Sequence, residues 1–312
     1  MLRTRFGPSG LVWVIGFSAL TATAQERPDI SDICGDCRVE VYAECGGFLE
    51  GATFDRSGQL WAVDLLSGNV LRIDANRECQ IEGNTGGQPN GAKFHRDGRL
   101  FIADKLRGIL ALDLDDDSIS VVAEFNRTER IRGTNDLVFD ADGGLYFTEP
   151  YGSSALDTDG RVFYLPPGND SRLEVHIDNL AFPNGIALSA DGTFIFVGEY
   201  AKKRILSVPS ASSIGDFDIA HVAAYTEGGV GPDDMAFDSD GNLYVAIFQG
   251  GEVRVIDADG FHVGSIELPE DAGTFVTNLA FYEDHLYITE ASAGVIYRVS
   301  VETSGLPFFH QQ

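Results

Sequence analysis

Lysine is almost missing from this chain: Lys93, Lys105, Lys202 and Lys203 are the only four in 312 residues. With Lys+Arg at 22 against Asp+Glu at 48, the formal charge is −26. No polybasic face can be assembled from that stock, which argues against nucleic acid and anionic membrane surfaces as partners. Long apolar runs are lacking too. The most apolar stretch, Leu11–Leu20, is ten residues long, about half of what a bilayer-spanning helix needs. There is no Gly-x-Ser-x-Gly elbow and no P-loop, so serine hydrolase and nucleotide chemistry are disfavoured. The six histidines (His95, His176, His221, His262, His285 and His310) share no metal-ligand spacing. No long window carries a 3.6-residue hydrophobic period. What remains is an ordinary globular composition, 44% hydrophobic and 22% charged, with 36 glycines spread singly along the chain. Scattered glycines mean many turns, and many turns mean many short strands.

The N-terminus reads as a processing segment. Arg3 and Arg5 precede the apolar run, and Ala22-Thr-Ala24 supplies small residues for signal peptidase, predicting a signal peptide over 1–24 and cleavage before Gln25. The mature protein is therefore expected to be secreted or periplasmic, off the membrane and monomeric. Export permits disulfides. The four cysteines, Cys34, Cys37, Cys45 and Cys79, allow three pairings, and spacing does not choose among them. Asn126-Arg-Thr128 and Asn169-Asp-Ser171 are glycosylation sequons, relevant only in a eukaryotic host.

Six segments repeat one pattern, beginning at Glu50, Asn90, Asn135, Asn184, Asp233 and Thr277, 40 to 49 residues apart. Each is a short apolar strand, a turn (Asp-Gly in four of the copies), and a second strand rich in Leu, Tyr, Phe and Val. Third and fourth strands follow, as in Gly68–Asp74 and Val121–Phe125. Four strands per 40 to 50 residues predict an all-β, six-bladed β-propeller over 45–312, with residues 25–44 closing the ring through a strand around Arg38–Tyr42.

In a propeller the innermost strands line a central channel, and their first residues ring its mouth. That ring is Glu50, Asn90, Asn135, Asn184, Asp233 and Thr277, all with side-chain oxygens. Asn before Gly is a common turn former, but no turn requires a glutamate at Glu50. Two carboxylates and amide carbonyls, with no Cys or His, form a hard-oxygen set for one divalent cation, Ca²⁺ first and Mn²⁺, Mg²⁺ or Zn²⁺ as alternatives. Strand alternation predicts that Asp234 points away from the direction of Asp233.

Leu49-Glu-Gly51, Thr134-Asn-Asp136 with Tyr146-Phe-Thr-Glu-Pro-Tyr151, Pro183-Asn-Gly185 and Pro232-Asp-Asp-Met235 resemble the gluconolactonase, regucalcin and luciferin-regenerating-enzyme family over about residues 45–300. The resemblance implies a lactone hydrolase with Glu50, Asn184 and Asp233 as metal ligands and Asn135 on metal or substrate. It makes Asp233 the proton acceptor. Asn90, Arg132, Asn135, Glu149 and Tyr151 are expected on the small-molecule substrate. Three departures stand out: Pro-Asp-Asp for Pro-Asp-Gly, Thr-Glu-Pro for Thr-Asp-Pro, and Arg132 three rather than two residues before Asn135. The alternatives are phosphotriester or aryl-ester hydrolysis on a similar propeller, or a secreted binding propeller without catalysis. Asp113–Asp117 mimics a calcium loop but lacks its central glycine and flanking helices, and it reads as a solvated hairpin.

Overall fold

The computed structural model describes residues 28–168, 172–213 and 219–311. The signal segment, its cleavage point and the second sequon lie outside the described residues. Six four-stranded antiparallel sheets stand as blades around one axis. Their innermost strands are Leu49–Phe54, Pro89–Phe94, Leu137–Phe139, Pro183–Leu188, Gly231–Phe237 and Val276–Tyr282. The chain then runs outward through each sheet in sequence order, the pattern of a β-propeller.

The repeated turns explain themselves locally. Asp55, Asp140, Asp238 and Asp257 each use one carboxylate oxygen to accept from the main-chain N–H groups two and four residues on. That bracket holds the hairpin between adjacent strands. Asp113 likewise accepts from the Asp115 N–H, so the calcium-loop mimic is a hairpin turn. His95 packs among Phe101, Phe139 and Phe309, with ring centroids 5.0–5.4 Å away. Between the blades, apolar residues of the second and third strands, such as Val63, Ile102, Phe147 and Val245, are fully buried. Inter-blade packing supplies the core.

Ring closure is made by the N-terminal strand. Glu40–Glu44 pairs antiparallel with Val295–Ser300 and becomes the outer strand of blade 6. Immediately after it, Cys45 is disulfide-bonded to Cys79, the first residue of the outer strand of blade 1. The bond therefore pins the closing seam. Cys34–Cys37 instead clamps the end of the short helix Ile30–Cys34, whose Ile30 sits against Gly264 of blade 5. The seam bond closes a loop of 34 residues, the other a loop of three. Replacing both Cys45 and Cys79 by Ala should cost up to about 4 kcal/mol of stability in the chain-entropy account, and the Cys34/Cys37 pair distinctly less. Denaturant titration of the two double variants checks the order; an equal loss would show that the seam needs no pin.

Beyond the last strand the chain crosses the lower face. Gly305 bridges Asp238, the Leu306 N–H donates to the Phe237 carbonyl, and Phe309 stacks on Phe139 at 5.0 Å. Repeat counting assigns this tail to the propeller without a role. It lies over an apolar cavity of about 350 Å³ lined by the far halves of the inner strands, Val138, Ala187, Ala236 and Ala280 among them.

Candidate active site at the head of the channel

All six residues read as heads of the inner strands are buried at the axis: Glu50, Asn90, Asn135, Asn184, Asp233 and Thr277. Their placement depends on an irregularity that recurs around the ring. Register shifts fall between Glu50 and Thr53, Pro89 and Ala92, Pro183 and Ile186, Pro232 and Met235, and Val276 and Leu279. A bulge of this kind breaks the two-residue alternation, so a head residue and its successor can both face the channel.

The successor is glycine in blades 1, 2 and 4 for a steric reason. A Cβ on Gly51 would lie 2.4 Å from the Asn90 carbonyl oxygen, and one on Gly185 would lie 2.1 Å from the Asp233 carbonyl oxygen. In blades 3, 5 and 6 the same place holds Asp136, Asp234 and Asn278, all buried. They form a second polar layer beside the first. Asp136 accepts from the Ile186 N–H and Asp234 from the Leu279 N–H, both at 3.0 Å, and the two carboxyls stand close enough for the charge of Asp234 to act on Asp136. Asp234 thus stands beside the site, as the Pro-Asp-Asp departure from the family motif implies, and its charge acts on Asp233 and Glu50 although simple alternation would point it away from the direction of Asp233. The bulge interrupts the alternation, and Asp234 ties blade 5 to blade 6 through the Leu279 N–H while facing the charge of Asp136 from blade 3.

The electrostatics follow from crowding. Burial first, and then the charges of Asp233, Asp234 and Asp136, push the Glu50 carboxyl well above the ordinary range. Asp233 is raised by burial, then by Asp234 and Asp136, against a hydrogen bond from Asn184. Asp136 is raised by burial and Asp234 against the pull of Lys93. Asn184 Oδ1 has no hydrogen-bond partner although it is buried, and the same holds for one oxygen each of Asp136, Asp234 and Asn278. Mutually repelling carboxylates beside an orphaned amide oxygen are a donor set suited to a hard divalent cation. Among the described residues no three His, Cys, Asp or Glu side chains group as a ready-made metal cage, so the amide oxygens matter.

The other predicted residues divide. Tyr151 is hydrogen-bonded to Asn135, and its phenol is raised by burial and by the charges of Glu50 and Asp233, which places it beside the ring. Thr277 is committed elsewhere: its Oγ1 donates to the Leu49 carbonyl at 2.8 Å, stapling blade 6 to blade 1. Glu149 is fully buried and accepts from the Arg132 N–H at 2.7 Å, the Arg132 guanidinium and Arg161. Arg132 also pairs with Asp159. Neither side chain is free to meet a substrate in this arrangement.

Glu149 belongs to a repeated set. Asp64, Asp104, Glu199 and Glu290, each at the end of a second strand, accept from the N–H groups of Phe48, Gln88, Ala181 and Phe275 respectively. In five blades a buried acid thus braces the segment that leads into a head residue. The signal lay in the sequence, as an acid closing most copies of the repeat, and it marks scaffold rather than substrate contact. Asp136 and Asn278 were the site residues that strand logic passed over. Their signal was the break from Gly at the position after each head.

The fold and this ring define a class, six-bladed propellers with oxygen-bearing side chains gathered at the channel mouth. Residues 48–292 match the model of the family described as SMP-30/Gluconolactonase/LRE-like region. The chain belongs to that family. It is 34% identical over 231 residues to lactonase drp35 of Staphylococcus aureus, covering 71% of this chain and 70% of that protein. Among solved structures, a gluconolactonase from Xanthomonas campestris superposes with TM-score 0.76 at 24% identity, covering 87% of this chain and 92% of its own. A regucalcin from Agrobacterium tumefaciens gives 0.73 at 22%, covering 86% and 96%. At those identities the two structures speak for the fold.

Proposed function

We propose that this protein is an exported, cation-dependent hydrolase of lactones. The observation that carries the reading is the buried facing pair Glu50 and Asp233 with the orphaned Asn184 oxygen, at the positions that the family motifs mark. The lactonase named among its relatives supports the substrate class, and two disulfides support an oxidising compartment. Glu50, Asn135, Asn184 and Asp233 would hold the cation. When bound, it supplies Lewis-acid polarisation of the lactone carbonyl.

The remaining chemistry belongs to the chain. Asp233 takes the proton from the attacking water. A buried carboxylate crowded by Asp234 and Asp136 is a stronger base than one in water, which brings it nearer the operating pH of a general base. Asn184 orients Asp233 through its hydrogen bond. Asn135, held by the Tyr151 phenol, keeps an amide at the edge of the ring for the substrate, with Asn90 beside it. Arg132 and Glu149 act at a distance, by fixing the strand that presents Asn135.

The test is a substrate panel run on protein dialysed against chelator and then on the same protein with Ca²⁺ restored. Lactone hydrolysis should require the cation and exceed turnover of phosphotriesters and simple aryl esters. Faster phosphotriester cleavage, or lactone turnover indifferent to chelation, would overturn the reading.

A further inference from the structure

Above the ring, six aromatic side chains form a continuous arc. Phe48, Phe182 and Phe275 each stand two residues before a head residue. Tyr151, Tyr200 and Phe248 stand at or just after the ends of second strands. Their centroids link in order: Tyr151 to Phe182 at 5.8 Å, Phe182 to Tyr200 at 5.4 Å, Tyr200 to Phe248 at 6.2 Å, Phe248 to Phe275 at 4.7 Å, and Phe275 to Phe48 at 6.4 Å.

Two glycines make room for the tyrosines. A Cβ on Gly133 would come within 2.6 Å of the Tyr151 ring, and one on Gly231 within 2.3 Å of the Tyr200 carbonyl. Burial raises both phenols first, and the charge of Asp233 adds to each and that of Glu50 to Tyr151, so the arc borders the carboxylates. All six rings are only partly buried, which leaves apolar surface at the mouth. Blade 2 alone contributes no aromatic. There the corresponding residues are Gln88 and Lys105, the latter with its ammonium 4.3 Å from the Tyr151 centroid.

We infer that this arc sets the substrate class: lactones with an apolar body, aryl-fused or alkyl-substituted, in preference to polyhydroxylated sugar lactones. The inference rests on the lactonase reading and deepens it. A polyol needs hydrogen-bond partners for each hydroxyl it desolvates. Five of the six blades instead offer ring faces and edges, and the arginine expected to bind substrate, Arg132, is bonded to Glu149 and Asp159. An apolar ring gains by displacing water from the arc, and its carbonyl can still reach the oxygen ring below.

The calcium-loaded protein is assayed on dihydrocoumarin, γ-nonalactone, glucono-δ-lactone and unsubstituted γ-butyrolactone. The wild type should favour the two apolar lactones over gluconolactone at least about tenfold in kcat/KM. Phe182→Ala and Phe275→Ala should raise KM for the apolar pair about tenfold. Their kcat should stay within about threefold, and their loss of kcat/KM on γ-butyrolactone, which has no apolar body to meet the arc, should be several-fold smaller than on the apolar pair. Phe182→Leu should restore most of the loss, since area rather than aromaticity is the main requirement.

Equal or better use of gluconolactone by the wild type overturns the inference, as does a uniform fall of kcat on every substrate. Binding of 2-tetralone, a ketone of dihydrocoumarin's shape that no esterase cleaves, is measured by calorimetry in parallel. If no lactone is turned over, the lactonase reading fails. The arc is then judged by this probe alone: about tenfold weaker binding to Phe182→Ala and Phe275→Ala supports it, and unchanged binding sinks it.

Discussion

Asp233→Asn is expected to lower kcat on lactones by at least about a hundredfold while leaving a folded protein able to take up a cation. An amide can coordinate through its oxygen but cannot accept a proton at neutral pH, and general-base catalysis is typically worth about 10²–10⁴-fold. The comparison variant is Asp234→Asn. Asp234 sits in the same channel, accepts from the Leu279 N–H and acts by its charge on Asp136. Its amide keeps both shape and partners, so its main effect should fall on stability. Steady-state kinetics and thermal unfolding of the two variants separate the roles. Should Asp234→Asn stop turnover while Asp233→Asn spares it, the assignment of the base is inverted.

The second large effect is on stability. On the proposed reading, a cation held by Glu50, Asn135, Asn184 and Asp233 would tie together blades 1, 3, 4 and 5. Ligand binding to the native state alone contributes RT ln(1 + [L]/Kd), about 2.7 kcal/mol at hundredfold excess over Kd. Removing Ca²⁺ with chelator should therefore lower Tm by several degrees, as well as abolish activity. Glu50→Gln should shrink that shift.

The gain must also depend on pH. Burial, with the charges of Asp233, Asp234 and Asp136, holds the Glu50 carboxyl above its unfolded value, and Asp233 is held up similarly. Without a cation the native state then binds more protons than the unfolded one. The stability from these groups is present below about pH 4 and is lost as pH rises through the raised folded values. A cation takes the place of those protons, so its Tm increment should be small in acid and grow toward neutrality. A melting temperature indifferent to Ca²⁺ across that range would contradict a cation site at the ring.

Much of this protein could be read from its sequence because its information is periodic. Six copies of a strand–turn–strand unit, each opening on an oxygen-bearing residue, require a closed propeller, since no single copy can bury both of its faces. The same register brings residues as far apart as Glu50 and Asp233 to one ring, and a pattern of heads is visible without coordinates. The seam was legible in outline from the spare strand around Arg38–Tyr42. The pairing of Cys45 with Cys79 was not, because four cysteines allow three pairings and only the meeting of blades 6 and 1 selects one.

Tertiary structure decided whatever depended on a break in the repeat or on contacts between blades. Alternation predicts that Asp234 faces away; a bulge repeated in five inner strands brings it to the axis beside Asp136. A buried acid at the end of a strand reads equally as a substrate ligand or a brace, and only its partners show that Glu149 is a brace. The aromatic arc is invisible along the chain because its six members lie 100 or more residues apart at the extremes and come from five blades. Periodicity fixes which residues stand at the head of each blade. Which of them are free for chemistry depends on where every other hydrogen-bonding group finds its partner, and only the packed ring determines that.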